Sequence, residues 1–310
     1  MEDRNELAKL VTVAKLYYQE NLTQAEVAKQ LGVSRPLVSK MLSQARERGI
    51  VHIEIRSLDS SNPDLLVQLQ KRFGLVGGLV VPETIHKELA RRTLLEQGAR
   101  YLLGLIDSQK NIGLGWGYAL SEIMEQYHRR DFIAREGNVY PLIGSASIPH
   151  KGYHTNELTT ALAACCGRLA NILYAPAFPD TLEERRIYAR TTSFQELSKL
   201  WHQTDVALIT IAGYPTVPDE ATASRFGSAL AQQKAVGSFL SYFYDVKGEF
   251  IAGENDFVVH VPIEALRKSK KVIGFVDNAS AKAVLGALRT KVFTHLILTE
   301  KIAEELLSAE

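Results

Sequence analysis

Residues 23–36 spell a start, a stop and a second start for short helices, and few folds accommodate that punctuation. Thr23-Gln24-Ala25-Glu26 is a capping box, in which Thr and Glu satisfy each other's free backbone donors at a helix N-terminus. Ala25, Val27, Ala28 and Leu31 give that helix an apolar side, and Gly32 can take the positive φ of its C-cap. Val33 plugs the turn and Ser34 suits the N-cap of the next helix. Pro36 falls in its first turn, where a missing N–H costs nothing. Upstream, Leu7, Leu10, Val11, Ala14 and Tyr18 fall on one face of an amphipathic helix that stops near Glu20-Asn21.

In the third helix Val38, Met41, Leu42 and Ala45 share the face predicted to pack on the first two. The opposite face carries Pro36, Ser39, Lys40 and Ser43, with Arg35 and Gln44 at its borders. After Gly49, Val51, Ile53 and Ile55 alternate with His52, Glu54 and Arg56, which predicts a half-buried strand forming a wing. Two short helices joined by a Gly turn, the second exposing small, polar and basic groups, match what enters a DNA major groove. Lys and Arg can bond guanine edges, Ser a base edge or phosphate, and Pro36 a thymine methyl. The plainer alternative is a solvated three-helix cap with an ordinary charged face.

Charge supports the first reading. The whole chain is +1, which by itself argues for no polyanion partner. Lys29–Arg56 holds six basic side chains against Glu47 and Glu54, so that segment is +4 and the remainder −3. The expected DNA contacts are Thr23, Gln24, Ser34, Arg35, Pro36, Ser39, Lys40 and Ser43.

The polar run 57–63 reads as a linker, and Leu65, Leu66, Leu69 and Phe73 as a short amphipathic helix that either packs on the next domain or makes a dimer contact. Beyond Leu75 apolar β-branched runs alternate with helical stretches. Strands are predicted at 79–81, 112–114, 139–143, 171–175, 206–211, 257–261, 272–276 and 295–298, and helices include 89–106, 158–169 and 279–288. That alternation predicts an α/β fold, a doubly wound and largely parallel sheet covered on both faces. A length of 310 residues suits this division: 1–56 as a winged helix-turn-helix, 57–75 as linker and short helix, 76–310 as the second domain.

Ligands of such sheets sit at the carboxyl ends of strands, so the following loops are the candidates. Gly113-Leu114-Gly115-Trp116-Gly117-Tyr118 is either a cradle for a phosphate or sugar hydroxyl, or a tight turn needing glycine for steric reasons. It departs from the dinucleotide fingerprint, since Tyr118 stands where the third glycine belongs. The long run 144–156 is dense in donors and reads as a polyol-binding lid. His150 and His154 have i, i+4 spacing, but Pro149 and Gly152 disfavour a helix and no third ligand is near, so no metal is expected. Asp245, ending Tyr242-Phe243-Tyr244, can accept from vicinal sugar hydroxyls or cap its own turn. No nucleophile elbow, P-loop, HExxH pattern or paired carboxylates appear, and no cofactor is implied.

The two cysteines, Cys165 and Cys166, are adjacent, which excludes a long-range disulfide framework. No apolar run approaches the roughly 20 residues of a membrane span, and Met1–Glu6 carries both charge signs without a signal-like apolar segment. A cytoplasmic protein without a membrane partner is expected.

Leu16-Tyr17-Tyr18, Leu22–Ala28 and Leu31–Arg35, then Gly113–Gly117, Ala175-Pro176, Asp205–Ala207, Ala235–Ser238 running into Phe243–Asp245, and Leu298–Glu300 follow in order. Across essentially its full length the chain resembles the SorC-type family of bacterial sugar-responsive regulators. The resemblance implies a winged helix-turn-helix followed by an effector domain similar to sugar-phosphate isomerases. It further implies a homo-oligomer, dimer or tetramer, that binds double-stranded operator DNA and answers to a sugar, polyol or sugar phosphate. Effector contacts carry over to Gly115, Trp116, Gly117, Gly144, Ser145, Asn156 and Asp245. Three departures stand out: Ser145 replaces a Gly, Ser238 replaces an Asp, and Val276-Asp277 with Ser280 replaces a Gly-Gly followed by Lys. The expectation is therefore a DNA-binding regulator of a carbohydrate-utilisation operon, not an enzyme; the alternative is a sugar-phosphate isomerase-like enzyme with an accessory DNA-binding head.

Overall fold

Three helices, α1 (Glu2–Tyr18), α2 (Gln24–Leu31) and α3 (Arg35–Glu47), begin the chain. The computed structural model describes residues 2–51, 61–83, 86–126, 135–146, 151–215 and 225–309, excepting the side chains of 2–5 and 151. The predicted wing strand beyond Val51, the polar run 57–60 and His150 lie outside the described residues.

The chain divides into two compact units, Met1–Asp59 and Ser60–Glu310. In the first, the capping box forms as spelled: the Thr23 amide donates to Glu26 Oε2 at 2.8 Å and the Glu26 amide to Thr23 Oγ1 at 3.3 Å. Gly32 ends α2 at φ 65°. Leu10, Val13, Ala14, Leu16, Val27, Ala28, Val38, Leu42 and Ala45 are buried. The buried stripe of α1 therefore includes Val13 and Leu16, whereas Leu7 and Val11 stay exposed, as do Ala25 and Leu31 on α2. Both α1 and α2 pack on α3, and that seating rotates each stripe away from the face read by spacing alone.

The second unit is a ten-stranded sheet with β1 (Gly77–Val81), β2 (Asn111–Leu114), β3 (Asn138–Pro141), β4 (Leu169–Ala170), β5 (Val206–Gly213), β6 (Gly237–Phe239), β7 (Tyr242–Tyr244), β8 (Phe250–Ile251), β9 (Lys271–Val276) and β10 (His295–Thr299). Seven strands run in parallel in the order β1-β10-β9-β5-β2-β3-β4, and β6–β8 continue antiparallel from the end of β5 through Ala212↔Ser238. Side chains of a strand alternate between faces, and both faces are apolar: Val206 and Leu208 join one core, Ala207, Ile209 and Ile211 the other. Helices α5 (Lys87–Ile106), α6 (Tyr118–Gln126) and α7 (Thr155–Cys166) cover the first. The other is covered by α4 (Pro63–Phe73), α9 (Thr192–Trp201), α11 (Ile263–Lys268), α12 (Ala281–Arg289) and α13 (Glu300–Ser308). The described residues also form α8 (Leu182–Ala189), the short α10 (Ala229–Gln232) and a 3-10 turn at Lys151–Tyr153.

Two expected strands form no ladder of their own. The segment 171–175 donates from Asn171 to the Val139 carbonyl at 2.8 Å and then leaves the sheet edge; the segment 257–261 makes one isolated bridge, Ile143↔His260. Each has β-type residues but lacks a continuous partner; Leu173, Ala175, Val258, Val259 and Val261 are buried in the core, whereas Tyr174 stays exposed. The helix α4 packs on β1 and α13, and Asn62 caps it while its Nδ2 donates to Glu300 at 2.8 Å.

Candidate functional site

A cavity of about 410 Å³ opens where β2, β5 and β9 end. Its lining comes from Trp116–Ala119 after β2, Thr210–Pro215 at the end of β5, Ser238–Ser241 of the β6–β7 turn, and Asp277, Asn278 and Ser280 between β9 and α12, with Tyr153. That volume is typical of small-molecule sites, roughly 300–1,000 Å³.

Trp116 and Gly117 line it as expected for the glycine loop. Gly117 has φ 138°, and a Cβ there would stand 2.7 Å from Thr210 Oγ1. Two of the loop's amides are already engaged: Gly115 N–H donates to the Leu208 carbonyl and Gly117 N–H to the Gly152 carbonyl, each at 2.8 Å. The remaining expected contacts are not brought to the lining. Gly144 lets the chain pass the Pro176-Ala177 backbone, where a Cβ would approach to 2.6 Å. Ser145 Oγ lies 3.3 Å from Thr155 Oγ1. Asn156 clamps Leu173, donating to its carbonyl and accepting from its amide at 3.1 Å each. Asp245 Oδ1 accepts from the Lys247 and Glu249 amides at 2.9 and 3.0 Å, which closes its own turn.

Thr210, Leu240 and Ser241 also line the cavity, and none of them carries a local ligand-site signal in the sequence. The rule of strand carboxyl ends pointed to the end of β5, but the β6–β7 turn enters only through antiparallel pairing that no local pattern announced. Asp277 and Ser280, which depart from the family pattern, both lie in the lining. Asp277 is bound by Arg91, whose Nε–Oδ1 and Nη2–Oδ2 distances are 2.8 and 2.7 Å. The same guanidinium reaches both Glu122 oxygens at 2.8 Å. These two carboxylates push the Arg91 pKa further up, Glu122 contributing most.

In the first unit, Ser34, Arg35, Pro36, Ser39 and Lys40 are exposed, and Ser43 is half-buried. Val38, Leu42 and Ala45 point to the core on the other side of α3. Ser34 has N-cap geometry but its hydroxyl makes no cap bond, so it remains available outward. Among the described residues Arg35 and Lys40 make no ion pair. Arg35 lines a surface depression with Thr23, Gln24, Tyr17 and Tyr18. Thr23 is also committed to its cap, donating to Glu26 Oε2 at 2.7 Å, and that bond lowers the Glu26 pKa. Among the described residues no His, Cys, Asp and Glu side chains form a metal-binding group.

Residues 60–308 match the family described as "Putative sugar-binding domain". The chain is 29% identical to the sorbitol operon regulator of Klebsiella pneumoniae over 99% of its own length and 100% of that protein. The chain belongs to the SorC-type sugar-binding family. The crystal structure of full-length SorC from Klebsiella pneumoniae superposes with a TM-score of 0.74 at 28% identity, covering 97% of this chain and 98% of that one. The deoxyribonucleoside regulator of Bacillus subtilis is 26% identical over 99% of both chains. This SorC-type chain is a transcriptional regulator, and no helix among its described residues is long and apolar enough to cross a membrane.

Proposed function

We propose that the chain controls a carbohydrate-utilisation operon in the cytoplasm, reading double-stranded operator DNA through α3 and releasing or tightening it when a sugar, polyol or sugar phosphate fills the cavity. The observation that carries this reading is the division of α3: one face holds Val38, Leu42 and Ala45 in the core, the other presents Ser34, Arg35, Pro36, Ser39 and Lys40. Such a face offers donors to base edges and phosphates without unpacking the unit. The proposed units are a winged helix-turn-helix at 1–56, a linker and short helix at 57–75, and an effector and oligomerisation domain at 76–310. A homodimer or homotetramer suits this role, because two copies of α3 then meet two half-sites.

Regulation without turnover is the reading the lining supports. An isomerase needs a base and an acid over its substrate carbonyl, whereas the one carboxylate in the described lining, Asp277, is held by Arg91. Ligand binding can shift operator affinity only through different affinities for the two states.

Selection of bound sequences from a random duplex pool by the full chain, followed by salt titration, tests this. Enrichment of a two-fold related site, with affinity falling steeply as salt rises, is expected. Uniform binding of all duplexes, or none, would refute it.

A further inference from the structure

Among the described residues the cavity lining carries one formal charge, and it is negative. Asp277 stands where β9 gives way to α12, its side chain 9% exposed. Arg91 faces it, and that guanidinium also bonds both oxygens of Glu122. A phosphate ester carries about −1.5 to −2 at neutral pH and offers only acceptors. Beside a carboxylate, itself an acceptor only, it gains no hydrogen bond and meets like charge.

Three of the backbone donors beside the cavity are already engaged within the chain. The amides of Gly115 and Gly117 bond the carbonyls of Leu208 and Gly152, and the Ala283 amide at the start of α12 donates to Ser280 Oγ at 3.3 Å. What the lining offers instead suits hydroxyl groups. Thr210 Oγ1 is buried and has no hydrogen-bond partner. A carboxylate has about four lone-pair sites, so Asp277 can accept from a ligand while still accepting from Arg91. Trp116, Tyr153 and Tyr118 form an aromatic wall, with centroids 5.4 Å apart for the first pair and 5.5 Å for the second.

We propose that the cavity takes an uncharged sugar or polyol in preference to its phosphate ester, with ligand hydroxyls donating to Asp277 and bonding Thr210 Oγ1 while the carbon skeleton lies along Trp116. This rests on the reading of the cavity as the effector site.

Calorimetric titration of the full chain with matched pairs tests it. Pentoses, ketohexoses and hexitols are each compared with their terminal phosphate esters, and operator binding is followed in the same samples. A free compound is expected to bind, with its ester at least tenfold weaker. Asp277→Asn should narrow that ratio severalfold. Thr210→Val, which removes an unpartnered hydroxyl and keeps the shape, should fold and lose about tenfold in affinity for the free compound. An ester that binds more tightly than its free partner overturns the preference while leaving an effector-controlled regulator. Binding by neither member of any pair, with operator affinity unmoved, overturns both the preference and the cavity's role. Unchanged affinity in Thr210→Val overturns the assigned contact.

Discussion

His260 donates through Nδ1 to the carbonyl of Leu240 at 2.9 Å, with its ring stacked on Tyr242 at 3.8 Å. Leu240 and Ser241 turn the β6–β7 hairpin with φ of 48° and 65°, values that side-chain-bearing residues rarely adopt, and both line the cavity. Arg225 holds the second of them, donating to Ser241 Oγ at 2.9 Å. The hairpin tip is thus kept in a strained conformation by groups outside the cavity.

Stability should fall with acid through His260. Burial pushes its pKa down to about 4, below the ordinary value of about 6.5. The unfolded chain therefore takes up this proton first. The contribution is complete above about pH 6.5 and is lost as pH falls toward 4, at up to roughly 1.4 kcal/mol per pH unit. Burial lowers His295 as well, so the test is the difference between the native chain and His260→Asn in urea unfolding across that range. Equal slopes would rule out His260 as the source.

Arg35→Ala and Lys40→Ala should each weaken operator binding without moving the melting temperature, because both side chains are exposed and outside the core. A cation on phosphate should reduce the salt slope by about one, and one on a guanine edge should relax sequence preference, costing about 1–3 kcal/mol. Fluorescence anisotropy on the selected site and on point-changed sites separates the two roles. If neither substitution alters binding, α3 is not the reading helix.

Gly117→Ala should destabilise the second unit by about 1–3 kcal/mol, since the new Cβ meets Thr210 at 2.7 Å from a φ of 138°. Adding Thr210→Ala should return part of that loss by removing the struck atoms. Paired denaturation curves of the single and double variants measure the coupling.

Asp205→Ala should cost about 2 kcal/mol. Its Oδ2 accepts from the Lys110 and Asn111 amides at 3.1 and 2.9 Å, and its Oδ1 lies 2.7 Å from Lys270 Nζ, so the change leaves backbone donors at the base of β2 unpaired. Burial opposes ionisation, but Lys270 and these amides outweigh it and hold the pKa below the usual value. The stabilisation is present above about pH 4 and disappears as pH falls through the lowered pKa, a dependence the variant should lack.

Asp245→Ala should loosen the turn before β8 by about 1 kcal/mol while the response to effector survives, since its Oδ1 serves the Lys247 and Glu249 amides. Loss of the response with an unchanged melting temperature would return this residue to the effector site.

Helix starts and stops were legible in the residues because they depend on groups a few positions apart. Thr23 with Glu26, Gly32 at positive φ and Pro36 in the first turn act through local backbone donors, and each stands where the spacing put it. The parallel sheet was legible for a related reason: strands buried on both faces must be apolar at successive positions, as Val206, Ala207, Leu208 and Ile209 are. Which polar groups meet was not legible. Asp245 and Asp277 are both acids near the end of a strand, yet one bonds its own turn and the other faces a cavity completed by segments from 116 to 280. Strand order and the antiparallel return of β6 and β7 make that choice, because they bring distant segments within hydrogen-bonding reach. The same distance separates a strand from a mere extended run: 171–175 and 257–261 have the residues for a ladder, but pairing requires a partner edge that only the assembled sheet supplies.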